Sequence, residues 1–297
     1  MIRHLLPARI LAGYTKVASL MFLAGMSSNV SGFEIYGFIP YDYTVKGGEV
    51  IEGRPSNDWF ESLGIKPVDV VYERRMIDVN KDIMGKKTFT LNHNMMKEVA
   101  VGRGRKKSTI VSLDLESWDR FDETTPGRFL EAIKVFREIN PDSMLGLYAT
   151  VPQNTYKWRS GRKKHYDALN AKYASVADAV DYLSPSLYNY SKDDFESWLE
   201  GAKYNISAAK KYSSTKKVIP YITPEIWDDG YTRWISYDEM SKRLSALKSL
   251  GADGCIIWGS SQTRTVTGDK PTLDPGFGWL KAVVDFSRST DPRYDHQ

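Results

Sequence analysis

Two carboxylates stand two residues apart in Ser108-Thr-Ile-Val-Ser-Leu-Asp-Leu-Glu-Ser-Trp118. The run from Ser108 to Leu113 is apolar and β-branched, which predicts a buried strand. Residues i and i+2 of a strand project from one face, so Asp114 and Glu116 point the same way. Neighbouring carboxylates repel, and one of them tends to hold its proton near neutral pH. An acid beside a carboxylate is what hydrolysis of a glycosidic bond requires. The same pattern also arises where a strand-end Asp caps a turn and the Glu is merely solvated, so the rest of the chain must decide.

Strands alternate with helices along the chain. Phe33–Pro40, Val68–Tyr72, Met144–Ala149, Tyr182–Tyr188, Lys217–Thr223 and Gly254–Gly259 read as strands beside Ser108–Leu113. Asn57–Leu63, Leu91–Val101, Thr125–Ile139, Tyr166–Ala177, Asp193–Tyr212, Tyr237–Leu250 and Phe277–Phe286 read as helices. The third of these opens on Thr125-Pro126, a cap followed by Pro at the first helical position. Such alternation implies right-handed βαβ units and a parallel sheet. No dinucleotide-binding glycine loop follows the first strand. About seven flanked strands favour a closed (β/α) barrel over an open sheet.

The strand ends of such a barrel share one rim. They bring Asp114, Glu116 and Trp118 together with Tyr148, Pro152 and Tyr156, Tyr188 and Tyr190, Glu225 and Trp227, and Trp258. Acids ringed by Tyr and Trp suit carbohydrate, since aromatic faces stack on sugar C–H faces and hydroxyls direct hydrogen bonds.

The chain has 297 residues and a net charge of +4. Arg3, Arg9 and Lys16 lead into the apolar run Val17–Gly25, the order of a secretory signal over residues 1–32, with a retained membrane anchor as the alternative. Without that segment 38 basic residues face 37 acidic ones and the net charge is +1, a poor match for nucleic acid. Residues 33–297 then form a single domain, expected to be secreted or periplasmic and monomeric. Cys255 is alone, so no internal disulfide forms, and burial in its strand is expected. The four histidines lack metal-ligand spacing, and no cofactor is implied. Arg103–Lys107 and the group Arg159, Arg162, Lys163 and Lys164 could flank a groove for an anionic polymer. Lys210, Lys211, Lys216 and Lys217 fall on the far side, ahead of a strand. Asn29 and Asn205 head Asn-x-Ser sequons.

Leu113-Asp-Leu-Glu-Ser-Trp118 resembles the Asp-x-Glu-x-Trp signature of the hyaluronidases, glycoside hydrolase family 56. Three further blocks are similar to that family's and follow in its order: Tyr148 to Tyr156, Ser184-Pro-Ser-Leu-Tyr188, and Gly251-Ala-Asp-Gly-Cys-Ile-Ile-Trp-Gly259. The resemblance spans residues 108–261 and implies a distorted, often seven-stranded barrel. It implies an endo-β-N-acetylhexosaminidase acting on hyaluronan or chondroitin. Glu116 would be the general acid/base, and Asp114 would orient the substrate's N-acetyl group, itself the nucleophile. Tyr156, Tyr188 and Trp258 would line the acetamido pocket. The chain departs from the animal enzymes in lacking disulfides, and its Pro-to-Tyr spacing after Tyr148 is about one residue longer. Two other readings remain open at this point. One is a two-carboxylate glycosidase pairing Glu116 with Glu225; the other is a carbohydrate-binding barrel without catalysis.

Overall fold

The computed structural model describes residues 32–104, 109–156, 158–189, 195–228, 231–260, 262–264, 268 and 270–290. The proposed signal or anchor, Asn29, Arg105 to Lys107 and Tyr190 lie outside the described residues. Six parallel strands form the main sheet, and a seventh completes the ring. They are β1 (Glu34–Phe38), β2 (Ile65–Tyr72), β3 (Ile110–Asp114), β4 (Leu145–Leu147), β5 (Tyr182–Leu183), β6 and β7 (Gly254–Trp258). Strand β6 comprises Lys217–Val218 and Tyr221–Ile222 on either side of Pro220.

The run Lys217–Thr223, expected as one strand, is interrupted because proline has no N–H to donate. Pro185 shortens β5 in the same way. Both still contribute carbonyls: Tyr221 N donates to Pro185 O and Ile256 N to Pro220 O, each at 2.8 Å. The sheet runs β6–β7–β1–β2–β3–β4. Backbone bonds then carry it from β4 to β5, from Asp181 N to Leu145 O and Ala149 N to Ser184 O, and β5 pairs parallel with Lys217–Val218. The alternation of strand and helix thus gives the α/β barrel that the sequence implies.

Side chains fill two layers. Inside the ring lie Tyr36, Val68, Ile110, Tyr182, Ile219, Tyr221 and Ile256. Tyr182 fits because β4 carries Gly146 opposite it; a Cβ there would sit 2.4 Å from the ring. The Tyr182 hydroxyl donates to Val111 O at 2.9 Å, so its polar atom is satisfied in the core. The outer layer packs Val111, Leu113 and Leu145 against the helices, including Phe136 of the third helix, α3 (Thr125–Ile139), and Ile206 of the helix Phe195–Tyr212. Each such fully buried aliphatic chain contributes ~1.5–3 kcal/mol. Cys255 belongs to this buried layer. The α3 cap position is Thr124 rather than Thr125, whose hydroxyl instead donates to Asp119 O.

Three antiparallel hairpins rise from the C-terminal ends of the strands. They are Tyr43–Lys46 with Glu49–Glu52, Ile77–Lys81 with Lys87–Leu91, and Glu225–Asp228 with Tyr231–Trp234. The first turns on Gly47 and Gly48, both at positive φ (63° and 85°), the backbone that a two-residue hairpin turn needs. No residue of these hairpins is among those that line the cavities of the site. None of the described helices is long and apolar enough to cross a membrane.

Candidate active site

Strand β3 delivers Asp114 at its last position, and the chain leaves the barrel through Leu115 to place Glu116 on the rim. Leu115 is buried and anchors the step between them. A third carboxylate, Glu73, follows β2 and holds this segment. Its Oε2 accepts from the backbone N–H of Glu116 at 2.9 Å and of Ser117 at 2.8 Å, and its Oε1 accepts from Ser117 Oγ at 2.6 Å. Charge-assisted bonds of this kind fix backbone position tightly.

Burial and the nearby charges of Glu116 and Glu73 push the Asp114 carboxyl up to about 8. Its Oδ1 is buried without a hydrogen-bond partner among the described residues, which disfavours the ionised form. Glu116 is raised as well, by desolvation and then by Glu73. The pair therefore carries a proton at neutral pH, as two close carboxylates should.

Asp114 and Glu116 open into one cavity of about 670 Å³. Its far wall is a stack of rings. Tyr148 lies on Tyr188 with centroids 5.8 Å apart and 30° between planes, and Tyr188 lies on Trp258 at 5.6 Å and 27°. Trp258 Nε1 donates to the Tyr72 hydroxyl at 3.0 Å, which fixes the indole. Two arginines edge the same cavity, Arg54 with its guanidinium 6.0 Å from the Phe38 ring and Arg74 6.0 Å from the Tyr72 ring. The cavity is thus lined by carboxylates, stacked aromatic rings and two arginines, which suits a sugar polymer bearing negative charge.

The structure brings Asp114, Glu116, Tyr148, Tyr188 and Trp258 together and sets three other candidates apart. Tyr156 was expected in the acetamido pocket. It is 56% exposed and opens into a second cavity of about 420 Å³ on the other side of Glu116. Trp118, although it reaches the edge of that second cavity, is 6% exposed; its Nε1 donates to Phe89 O and its ring meets Phe129 edge-on. It is a packing residue that ties the Ile77–Leu91 hairpin to α3. Glu225 does not line the cavity of Asp114 and Glu116. Its carboxylate accepts from the Tyr41 hydroxyl, Ser260 N at 2.8 Å and Thr263 Oγ1 at 2.7 Å, so it locks the rim instead of facing a substrate.

The expected basic flanks divide. Arg103 lies 3.8 Å from Asp69 in the middle of β2, ahead of β3 and so at the end of the barrel away from the carboxylates. Lys217 pairs with Glu34 at that same end, the far side expected for it. Arg162 lies over Tyr166 and Lys163 pairs with Asp167, on the loop side of the rim. Sequence reading missed Glu73, Tyr72, Arg54 and Arg74. The only signal for Glu73 was its position after a strand. Among the described residues, no group of three or more His, Cys, Asp or Glu side chains is arranged to hold a metal ion.

No protein-family model matches the chain, and no curated protein matches it. Among solved structures it is similar to bee venom hyaluronidase at a TM-score of 0.53 and 16% identity, over 77% of this chain and 91% of that one. Bee venom hyaluronidase in complex with a hyaluronic acid tetramer matches at 0.53 and 17% over the same shares. At such identity the likeness shows the fold, a (β/α) barrel.

Proposed function

We propose that the chain is a glycoside hydrolase of hyaluronidase type, an endo-β-N-acetylhexosaminidase cutting hyaluronan- or chondroitin-like glycosaminoglycan with retention. The observation that carries this reading is the placement of a proton-bearing Asp114–Glu116 pair in one cavity beneath the Tyr148–Tyr188–Trp258 stack. The acetamido resemblance at Asp114 and the barrel shared with bee venom hyaluronidase support it.

In this reading the reacting hexosamine sits against the aromatic stack with its acetamido group toward Asp114. The acetamido carbonyl oxygen attacks C1 while Glu116 gives its proton to the departing glycosidic oxygen. The C1–O bond breaks and a cyclic oxazolinium forms, its N–H steadied by Asp114. Glu116, now a carboxylate, takes a proton from water, whose oxygen attacks C1 and reopens the ring. One carboxylate pair suffices because the substrate supplies the nucleophile. Glu225, occupied by three donors, is not needed. Arg54 and Arg74 would attract the polymer's carboxylates. The reading includes export by residues 1–32 and a monomeric domain over residues 33–297.

The test is digestion of hyaluronan and unsulfated chondroitin by the purified chain beside Glu116→Gln. Saturated oligosaccharides from the parent and a loss of at least about 10²-fold in the variant support the reading. Products with 4,5-unsaturated ends would mean elimination and remove the acid/base assignment. An inactive parent that still binds the polymer would mean a binding barrel.

A further inference from the structure

We propose that the hairpin over residues 77–91 docks the protein on an anionic phospholipid bilayer. Ile83 and Met84 enter the bilayer surface, and Lys81, Lys86 and Lys87 meet its headgroups. This goes beyond the reaction proposed above and does not rest on it.

The hairpin is fixed at its base. Its strands pair Ile77 with Leu91, Val79 with Phe89 and Lys81 with Lys87, and these alternate positions share one face. Near the barrel that face is packed: Ile77 is buried, and Phe89 and Leu91 lie against the main core. Asn92 N donates to Met76 O at 2.9 Å and Trp118 Nε1 to Phe89 O at 3.1 Å, which ties the base to the barrel.

The far end is a closed turn. Asp82 Oδ1 accepts from Met84 N and from Lys86 N, both at 2.9 Å. Gly85 N donates to Asp82 O at 2.9 Å, with Gly85 at φ 78°. The turn so formed holds two apolar side chains in solvent. Ile83, at 104%, and Met84, at 87%, are the most exposed large apolar side chains among the described residues. Nothing in the packing of the barrel accounts for them.

The charges around this apex select the occupant. Lys81 and Lys87 stand directly opposite each other, where like charges repel, and Lys86 adjoins them. Among the described residues none of the three forms an ion pair. The one acid between Lys81 and Lys87 is Asp82, whose Oδ1 is engaged by the turn. An apolar apex within a collar of ammonium groups matches a bilayer surface, where acyl chains lie just beneath anionic phosphates. A soluble polyanion would meet the lysines and leave Ile83 and Met84 in water. Two side chains on a narrow turn offer far less than the ~800 Å² that each partner of a stable protein complex buries. The hairpin Tyr43–Lys46 with Glu49–Glu52 makes the contrast: it exposes Val50 and Ile51, but Glu49 and Glu52 flank them and an anionic surface would repel it. The docking hairpin rises from the same end of the barrel as Asp114 and Glu116, so docking holds that end at the membrane.

The experiment places an environment-sensitive fluorophore on the purified full chain at Met84→Cys, with Val50→Cys as the control. Cys255 is buried, so the introduced thiol takes the label. Vesicles of phosphatidylglycerol mixed with phosphatidylcholine are added, or vesicles of phosphatidylcholine alone. With the anionic vesicles the label at position 84 is expected to shift to the blue and to be quenched by lipids that carry a nitroxide high on the acyl chain. The label at position 50 is expected to do neither, and raised salt should weaken the response. In unlabelled protein, affinity for the anionic vesicles should fall at least about tenfold in Ile83→Ser with Met84→Ser, and by a similar factor in Lys81→Gln with Lys86→Gln and Lys87→Gln. All five side chains are exposed, so these variants fold. An unchanged emission at position 84 overturns the proposal, even where the chain binds vesicles through another segment. So does a label at position 84 that is already blue-shifted without lipid in a chain that sediments as a dimer, since a second copy then covers the tip. Lysine variants that lose affinity for heparin, with no vesicle response in the parent, would assign the lysines to a soluble polyanion and overturn it as well. None of these readouts needs turnover, so each of these failures leaves the proposed function standing.

Discussion

Glu73 touches no substrate in the proposed reaction, yet its charge bears on both reacting acids. It sits against the Glu116–Ser117 backbone and raises Asp114 and Glu116 together. Removing a negative neighbour lowers the pH at which Glu116 loses its proton. Glu73→Gln should therefore shift the alkaline limb of the kcat/KM profile to lower pH, whereas Ser117→Ala, which keeps the charge, should not. An alkaline limb that stays in place in Glu73→Gln would mean that Glu73 serves only the backbone. Asp114 has a second consequence, for stability. Its carboxyl holds a proton more tightly folded than unfolded, so stability falls as pH rises from about 4 toward about 8. Asp114→Asn removes that loss. Its melting temperature should exceed the parent's by a margin that widens across this window while activity is lost; a margin that is flat with pH would refute the assignment. The pair was legible as two acids at the end of a buried strand, but not through a shared strand face, because the strand ends at Asp114 and Glu116 lies beyond it. Glu73 was not, because nothing in the sequence near it says which β3–α3 residues its strand will face.

At the scale of elements, the hairpins beyond the strand ends take up two of the strand-end candidates, Glu225 and Trp118, in their own contacts. The Glu225–Asp228 hairpin starts with a carboxylate whose donors come from distant chain, Tyr41 after β1 and Ser260 and Thr263 after β7. Trp234 Nε1 extends the network to the Tyr41 hydroxyl at 3.3 Å. Glu225→Gln weakens these bonds and should cost about 1–2 kcal/mol of stability in a urea unfolding curve, with kcat within about threefold of the parent's. Loss of all turnover in a folded Glu225→Gln would instead favour the two-carboxylate enzyme. Residue type and strand-end position put Glu225 and Trp118 on the same footing as Trp258. What separates them is the partner each side chain finds: Trp258 meets Tyr72 over the cavity, whereas Trp118 meets Phe89 O beneath a hairpin. Those partners are fixed by tertiary packing, which no local pattern encodes.

At the scale of the whole domain, the strands form a ring whose two ends are held by different contacts. At the end away from the site, Glu34 of β1 joins Lys66 of β2, at 2.6 Å, to Lys217 of β6. Burial pushes the Glu34 carboxyl up, but the bonds and charges of Lys217 and Lys66 outweigh it and hold it below the usual carboxylate range. The stability it adds is present above its unfolded pKa and is lost as pH falls through the folded value. Glu34→Gln should lower stability by about 1 kcal/mol near neutral pH, since both lysines are partly exposed. That difference should close in acid; a gap that persists there would mean that packing, not charge, is lost. The ring was readable from alternating strands and helices, and the number of strands from their count. The breaks at Pro185 and Pro220 were visible as residues, though the ladder around them depends on neighbours that sequence does not display.

The central claim, retention through the substrate's own acetamido group at Asp114 and Glu116, is most directly tested by the anomeric configuration of the first product. Proton NMR during cleavage of a hyaluronan hexasaccharide by the purified chain reads it before mutarotation. The account predicts the β-anomer at the new reducing end, appearing first and then equilibrating. Initial formation of the α-anomer would mean direct displacement by water, and Asp114 as the orienting acid and Glu116 as the acid/base of a retaining reaction would not stand.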